Sequence, residues 1–223
     1  MMDRIKAFIF DLDGVVVDTA KYHYLAWQRL AKSLGFEIGP KDNERLKGVS
    51  RMASLEIVLS VGGIRATETE KEAYAERKNA WYREYLSTMD ASEVLPGARL
   101  FIEGSRRLGL GTAIASASKN AGTIVEATGI AALFDAIADG YQAARAKPAP
   151  DIFLRAAEML GARPSACVVF EDAAAGVEGA IAAGMTAVGI GDPAVLGAAA
   201  LVLPGFSGLD VAAFFAKLGA TAH

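Results

Sequence analysis

Apolar and polar positions change their spacing several times along the chain. Lys6-Ala-Phe-Ile-Phe10 is a short apolar run ending at an acidic turn, and it predicts a buried strand. From Lys21 to Leu34 the period becomes helical: Trp27, Leu30, Ala31 and Leu34 follow i, i+3, i+4, i+7, and Gly35 is a natural stop. Ser50 is placed to cap a second helix carrying Leu55, Val58 and Leu59. Thr67-Glu-Thr-Glu70 reads as a capping box that opens a third helix running to about Leu86. Pro96-Gly97 then punctuates the chain.

Beyond that break, helices and strands alternate. A helix near 98–108 leads to the run Thr112–Ala115, followed by a helix near 120–128 and the short run Ala136–Ala138. Pro150, expected at the first helical position, opens a helix to about Leu160. Cys167–Phe170 reads as a strand, a helix follows near 176–183, and Thr186–Ile190 is another strand. The alternation predicts an α/β protein: a Rossmann-like parallel sheet, covered on both faces, built from residues 1–16 and 94–223. The helical block at 17–93 reads as an α-helical cap inserted after the first strand.

Composition narrows the class. Hydrophobic residues make up 52% of the 223 positions and charged residues 22%, so a packed core is expected. The net charge of −3 is too balanced for a nucleic-acid groove or a polybasic membrane binder. Residues 1–95 hold 14 basic and 15 acidic side chains against 3 and 7 in 148–223, which fits helices with wet outer faces in the first part. A single cysteine, Cys167, rules out a disulfide within the chain and fits a reducing compartment. Only four apolar residues in a row, Ala7–Phe10, stand between Lys6 and Asp11, short of a secretory h-region, and no uncharged stretch is long enough to span a bilayer. The expectation is a cytoplasmic monomer with no nucleic-acid or membrane partner.

In open α/β sheets ligands gather beyond the carboxyl ends of the strands. The first strand is followed there by Asp11-Leu-Asp13-Gly14, the second by Ser116-Ala-Ser118-Lys119-Asn120, the third by Asp139 and then Lys147-Pro148, and the fourth by Glu171-Asp172. One Asp-x-Asp alone fits a simple turn cap equally well; agreement among four strand ends argues for a site. Two like charges about 4 Å apart cost on the order of 4 kcal/mol at an effective dielectric near 20. A cluster of Asp11, Asp13, Glu171 and Asp172 therefore needs a cation or shared protons, and oxygen donors without His or Cys point to Mg²⁺ before Zn²⁺. With Lys147 and a hydroxyl beside it, such a cluster suits phosphoryl transfer.

These elements together resemble the signature of the haloacid dehalogenase superfamily, in its phosphotransferase branch. His23-x3-Trp27, Lys47–Arg51, Arg77-Lys-Asn79, Ser116–Asn120, Phe134–Asp139 and Lys147–Phe153 carry the resemblance further, to the β-phosphoglucomutase family within it. The likeness spans roughly residues 4–204, with departures at Ala173, at 140–146 and at the C-terminus. It implies a small phosphosugar substrate and interconversion of β-glucose 1-phosphate and glucose 6-phosphate through a phospho-aspartate and a bound bisphosphate. By that resemblance Asp11 is the nucleophile and Asp13 the general acid/base. Mg²⁺ is held by Asp11, the main-chain carbonyl of Asp13, Glu171 and Asp172. Ser116 and Lys147 hold the transferring phosphoryl group, while Arg51, Ser118, Lys119 and Asn120 grip the other phosphate. Gly48, Val49, Ser50, His23, Trp27 and Lys78 join from the cap, and Thr19 lies at the hinge.

Several of these residues also have plainer readings. His23 stands between two tyrosines and one turn from Trp27, which fits a structural histidine. Lys78 shares a helical stripe with Tyr74, Trp81 and Tyr85, as a lysine covering aromatic surface would. Two rival functions share the same residues: a sugar-phosphate phosphatase, in which water attacks the phospho-aspartate, and a non-catalytic binding module, whose mark would be loss of Asp11.

Overall fold

The computed structural model describes residues 5–46 and 49–221. Strand β1 (Ala7–Phe10) is followed by four helices, α1 (Ala20–Ser33), α2 (Pro40–Glu44), α3 (Arg51–Val61) and α4 (Glu68–Leu86). The alternating part then runs α5 (Ala98–Arg107), β2 (Gly111–Ala115), α6 (Ala121–Ala127), β3 (Ala136–Ala138), α7 (Asp151–Met159), β4 (Cys167–Glu171), α8 (Ala174–Ala182) and β5 (Thr186–Ile190). It ends with α9 (Pro193–Leu196), β6 (Leu201–Leu203) and α10 (Val211–Ala220). Among the described residues the strands form one parallel sheet in the order β3-β2-β1-β4-β5-β6. The order reverses at β1, so the crevice where a ligand is expected opens between β1 and its two neighbours.

Alternation along β1 divides the core in two. Phe8 and Phe10 point to one face, where they meet Phe101 of α5, Ile124 of α6 and Phe214 of α10. Ala7 and Ile9 point to the other, toward Phe153 of α7 and Val177 of α8. The first face is aromatic: the Phe8 ring lies 5.9 Å from Phe101, 5.2 Å from Phe170 and 5.4 Å from Phe214, centroid to centroid.

The helical block has its own core, in which Trp27 and Leu30 of α1, Leu55, Val58 and Leu59 of α3, and Ala75 of α4 pack together. The predicted caps are present: Ser50 Oγ accepts the Ala53 N–H at 3.3 Å, and Thr67 and Glu70 form the reciprocal box. The two connections between this block and the sheet run side by side. Val17 bridges Val94, the Asp18 N–H donates to Glu93 O at 2.8 Å, and the Leu95 N–H donates to Val16 O at 2.9 Å.

One reading is corrected. Pro150 is the N-cap of α7 and Asp151 its first helical residue, because the Pro150 carbonyl already accepts the Leu154 N–H at 3.0 Å. The uncharged stretch after Ile190 holds α9 and β6, which had no visible period because a three-residue strand is too short to show one. Phe8→Ala removes a fully buried ring at the centre of the aromatic face. It is expected to cost about 3–5 kcal/mol, read from the shift of the urea midpoint at unchanged slope.

Candidate active site

Strand β1 ends at Phe10, and the Asp11 N–H continues the ladder by donating to Phe170 O at 2.9 Å. Since Phe10 pairs with Phe170, the next residues along the two strands, Asp11 and Glu171, emerge side by side. Both are buried, and Lys147, from the segment after β3, lies between them. Its Nζ is 2.5 Å from Asp11 Oδ1 and 2.8 Å from Glu171 Oε2. Burial alone would lower the lysine pKa, but the Asp11 and Glu171 carboxylates overturn this and raise it, so the ammonium stays charged. Burial, reinforced by Asp11, pushes the Glu171 carboxyl in the direction of neutrality.

Small residues make room for this cluster. A Cβ at Gly14, where φ is +84°, would stand 2.2 Å from Asp172 Oδ2, and one at Gly176 of α8 would stand 2.0 Å from Glu171 Cδ. Oxygens of Asp11, Glu171 and Asp172 lie within 4.8 Å of one another. The donors are all carboxylate, which fits a hard divalent cation rather than zinc or copper. The Asp13 carboxylate belongs to a different set: it accepts hydrogen bonds from Thr19 Oγ1 and, at 3.4 Å, from Ser116 Oγ. Burial and the neighbouring Asp11 charge raise its pKa to about 6.

A cavity of about 590 Å³ opens over Asp11 and Asp13 and extends between the sheet end and the helical block. Helices α1 and α4 close one wall. There Lys78 Nζ donates to His23 Nδ1 at 2.9 Å, and His23 Nε2 lies 3.8 Å from Asp13 Oδ1. Burial and the Lys78 and Arg51 charges hold the His23 imidazole neutral, so Nδ1 accepts and the Nε2 proton faces Asp13. Burial, with Arg51 nearby, lowers Lys78 to about 7. Its ammonium sits 4.7 Å from the centres of both the Trp27 and Tyr82 rings. Trp27 is accordingly both helical core and cavity wall, and the snorkelling reading of Lys78 gives way to a buried one.

The same cavity is also lined by Val49, Ser50, Arg51, Ser118, Lys119 and Asn120. Gly48 lies outside the described residues. Ser118 is tied down locally: its N–H donates to Ser116 Oγ at 3.0 Å and its Oγ accepts the Asn120 N–H at 3.1 Å. Asn120 Nδ2 reaches across to Asn79 Oδ1 of α4 at 3.2 Å. Arg51 stands 3.7 Å from Glu76 and is otherwise directed at the cavity. Asn79, Glu76 and Gly176 had been given no role, since their partners lie in other elements. Asn79 stood in a quoted motif, which was the one available signal.

A sequence model of the haloacid dehalogenase-like hydrolases matches residues 5–184. The chain belongs to that family. Within the family it is 42% identical over 189 residues to a β-phosphoglucomutase of Bacillus subtilis, covering 84% of each chain. A crystal structure of a β-phosphoglucomutase from Clostridium difficile superposes with a TM-score of 0.92 at 39% identity, covering 98% of this chain and 99% of that one. A fructose-1-phosphate phosphatase of Escherichia coli, YqaB, is 31% identical, covering 85% of this chain and 98% of its own. The family fold is therefore the α/β, haloacid dehalogenase type that the motifs implied, and relatives of this kind imply a divalent metal at the acidic cluster. No helix among the described residues is long and apolar enough to cross a membrane.

Two outcomes follow from the electrostatics. A carboxyl whose folded pKa lies above its unfolded value favours the fold while protonated, and that contribution disappears as pH rises through the folded pKa. For Asp13 the window runs from 3.8 to about 6. Asp13→Asn should thus match wild type most closely near pH 4 and become more stable by about 2–3 kcal/mol above pH 6.5 in metal-free buffer, measured by urea unfolding across pH. Millimolar Mg²⁺ should raise the melting temperature of wild type, and should do so far less for Asp172→Asn, because a cation bound only by the folded cluster stabilises it by linkage.

Proposed function

We propose that this protein interconverts β-D-glucose 1-phosphate and D-glucose 6-phosphate through a phospho-Asp11 and a bound β-glucose 1,6-bisphosphate, with Mg²⁺ as the divalent cation. The observation that carries this reading is the make-up of the cavity lining. One volume of about 590 Å³, suited to a small ligand, is lined both by Asp11 and Asp13 and by the cations Arg51 and Lys119. A phosphatase needs only the carboxylates and their cation, whereas a mutase must hold a second phosphate while the first reacts.

Each proposed role follows from its surroundings. Asp11 Oδ attacks phosphorus, the new O–P bond forms as the bond to the departing oxygen breaks, and Asp13 moves the proton to or from the sugar hydroxyl. Lys147, already against Asp11, offsets charge on the phosphoryl oxygens, and the Ser116 hydroxyl is within reach of the same region. Asp11, Glu171, Asp172 and the Asp13 carbonyl would hold Mg²⁺, which when bound reduces the repulsion between the Asp11 carboxylate and an incoming phosphate. Thr19 orients Asp13 by donating a hydrogen bond to its carboxylate, and neutral His23 presents its Nε2 proton toward the same group. Residues 17–93 act as a cap on the core 1–16 and 94–223, with the paired connections at Val17 and Val94 as the place of bending.

Transfer to sugar rather than water requires that the phospho-aspartate react only when the substrate's other phosphate has drawn the cap down. Arg51, on the cap, can offer two N–H groups to that phosphate. Arg51→Ala should lower mutase flux by roughly 30- to 1,000-fold, equivalent to about 2–4 kcal/mol, with far less effect on spontaneous hydrolysis of the phosphoenzyme. The measurement is glucose 6-phosphate formation and inorganic phosphate release, side by side. Predominant phosphate release by wild type, or an equal fall of both rates in Arg51→Ala, would replace the mutase reading with that of a phosphatase. Asp11→Asn should abolish both activities while the protein remains folded.

A further inference from the structure

Tyr141, 73% exposed, follows Gly140 of the cavity lining, on the segment where the chain departs from the resemblance that its other motifs carry. Its ring lies under Lys119, whose Nζ is 4.8 Å from the ring centre. Its hydroxyl is close enough to Arg51 to act on the guanidinium electrostatically. One aromatic side chain thus neighbours a core cation and a cap cation, bringing the two together at one part of the cavity lining.

The backbone under Tyr141 is fixed. The Asp139 carboxylate accepts the Tyr141 N–H at 2.9 Å, the Gln142 side-chain oxygen accepts the Asp139 N–H at 3.3 Å, and the Gln142 N–H donates to Asp139 O at 2.9 Å. The Gly140 N–H donates to Ser118 O at 3.2 Å, which binds this turn to the segment carrying Lys119. A Cβ at Gly140 would lie 2.5 Å from Ala117 O and 3.1 Å from Lys119 Cγ, so a glycine is needed for the two segments to lie together.

We propose that Tyr141 is a positioning residue that holds Lys119, and with it the approach to Arg51, toward the non-reacting phosphate of the substrate. The proposal rests on the reading that this part of the cavity takes a phosphate. A flexible lysine loses side-chain freedom when it grips an anion, and holding it beforehand reduces that loss. The choice of an aromatic ring matters. A carboxylate would hold Lys119 more strongly but would neutralise it and compete with the incoming phosphate. The face of a ring attracts the ammonium through its quadrupole and leaves both its charge and its outer N–H groups available. Among the described residues Arg51 shows the contrasting arrangement, paired with the mostly exposed Glu76 carboxylate.

The test uses the full chain carrying Asp11→Asn, which binds without turnover, and titrates it calorimetrically with β-glucose 1,6-bisphosphate, glucose 6-phosphate and inorganic phosphate in Mg²⁺ buffer. Tyr141→Leu should weaken bisphosphate binding about 2- to 5-fold, the range for an exposed cation–π contact, and leave inorganic phosphate unchanged. Tyr141→Phe, which keeps the ring, should match the parent. In a Lys119→Met background the difference between Leu and Phe at 141 should vanish, which a merely structural tyrosine would not produce. Equal affinities for the Leu and Phe variants, or a loss that persists without Lys119, overturn the proposal. If the parent itself binds the bisphosphate no better than the monophosphate, the second-phosphate reading falls, and that result is separate from any comparison among the Tyr141 variants.

Discussion

The structure is organised around a concentration of negative charge where water is largely excluded. Asp11 and Glu171 leave neighbouring strands at adjacent positions and are both buried, so their repulsion is imposed by the sheet itself. Lys147 offsets it from a segment 136 residues away from Asp11 in sequence. Removing one partner of a buried ion cluster typically costs 3–5 kcal/mol, roughly, because the remaining charge is left unpaired. Other features serve this arrangement: the left-handed turn at Gly14, the missing side chain at Gly176, and the aromatic layer that fixes β1 between β2 and β4.

Around this centre is a second group of polar side chains with different electrostatics. Asp13, His23 and Lys78 are placed so that burial works against charge on each of them. A carboxyl of raised pKa, a neutral imidazole and an ammonium of lowered pKa stand next to one another, with Lys78 Nζ 2.9 Å from His23 Nδ1 and His23 Nε2 3.8 Å from Asp13. Asp13 comes from the sheet end, His23 and Lys78 from the helical block. The group is assembled only where the two parts meet, which ties its electrostatics to the position of the helices. The Asn120–Asn79 contact makes a second link across the same gap.

Elsewhere in the cavity lining positive charge is held differently. Arg51 has an exposed acidic neighbour and Lys119 an aromatic one, and neither is buried between two carboxylates as Lys147 is. Under the proposed function, a phosphate that must bind, turn and leave is better served by cations held loosely than by a fully paired site.

Much of this was legible along the chain. The period of Trp27, Leu30, Ala31 and Leu34, the caps at Ser50 and Thr67, and the apolar runs at 7–10, 112–115 and 167–170 each depend on neighbours within a turn or a pleat. Local spacing therefore reports them directly. The Asp-x-Asp after the first strand and the Glu-Asp after the fourth were equally local, and strand polarity alone placed them at one edge. Pairings between elements were not legible. That Lys147 lies between Asp11 and Glu171, that Lys78 meets His23, and that Trp27 is both core and wall depend on strand order and helix packing. The contacts of Asn79 and Tyr141 were hidden for the same reason, and β6 because three residues are too few to show a period. Sequence determined which acidic, basic and hydroxyl side chains stand at the strand ends and which positions are buried, because those follow from short-range spacing and hydrophobicity. Only the tertiary structure decided which charges face one another, because their distances are set by elements that are remote in the chain and by the low-dielectric interior those elements enclose.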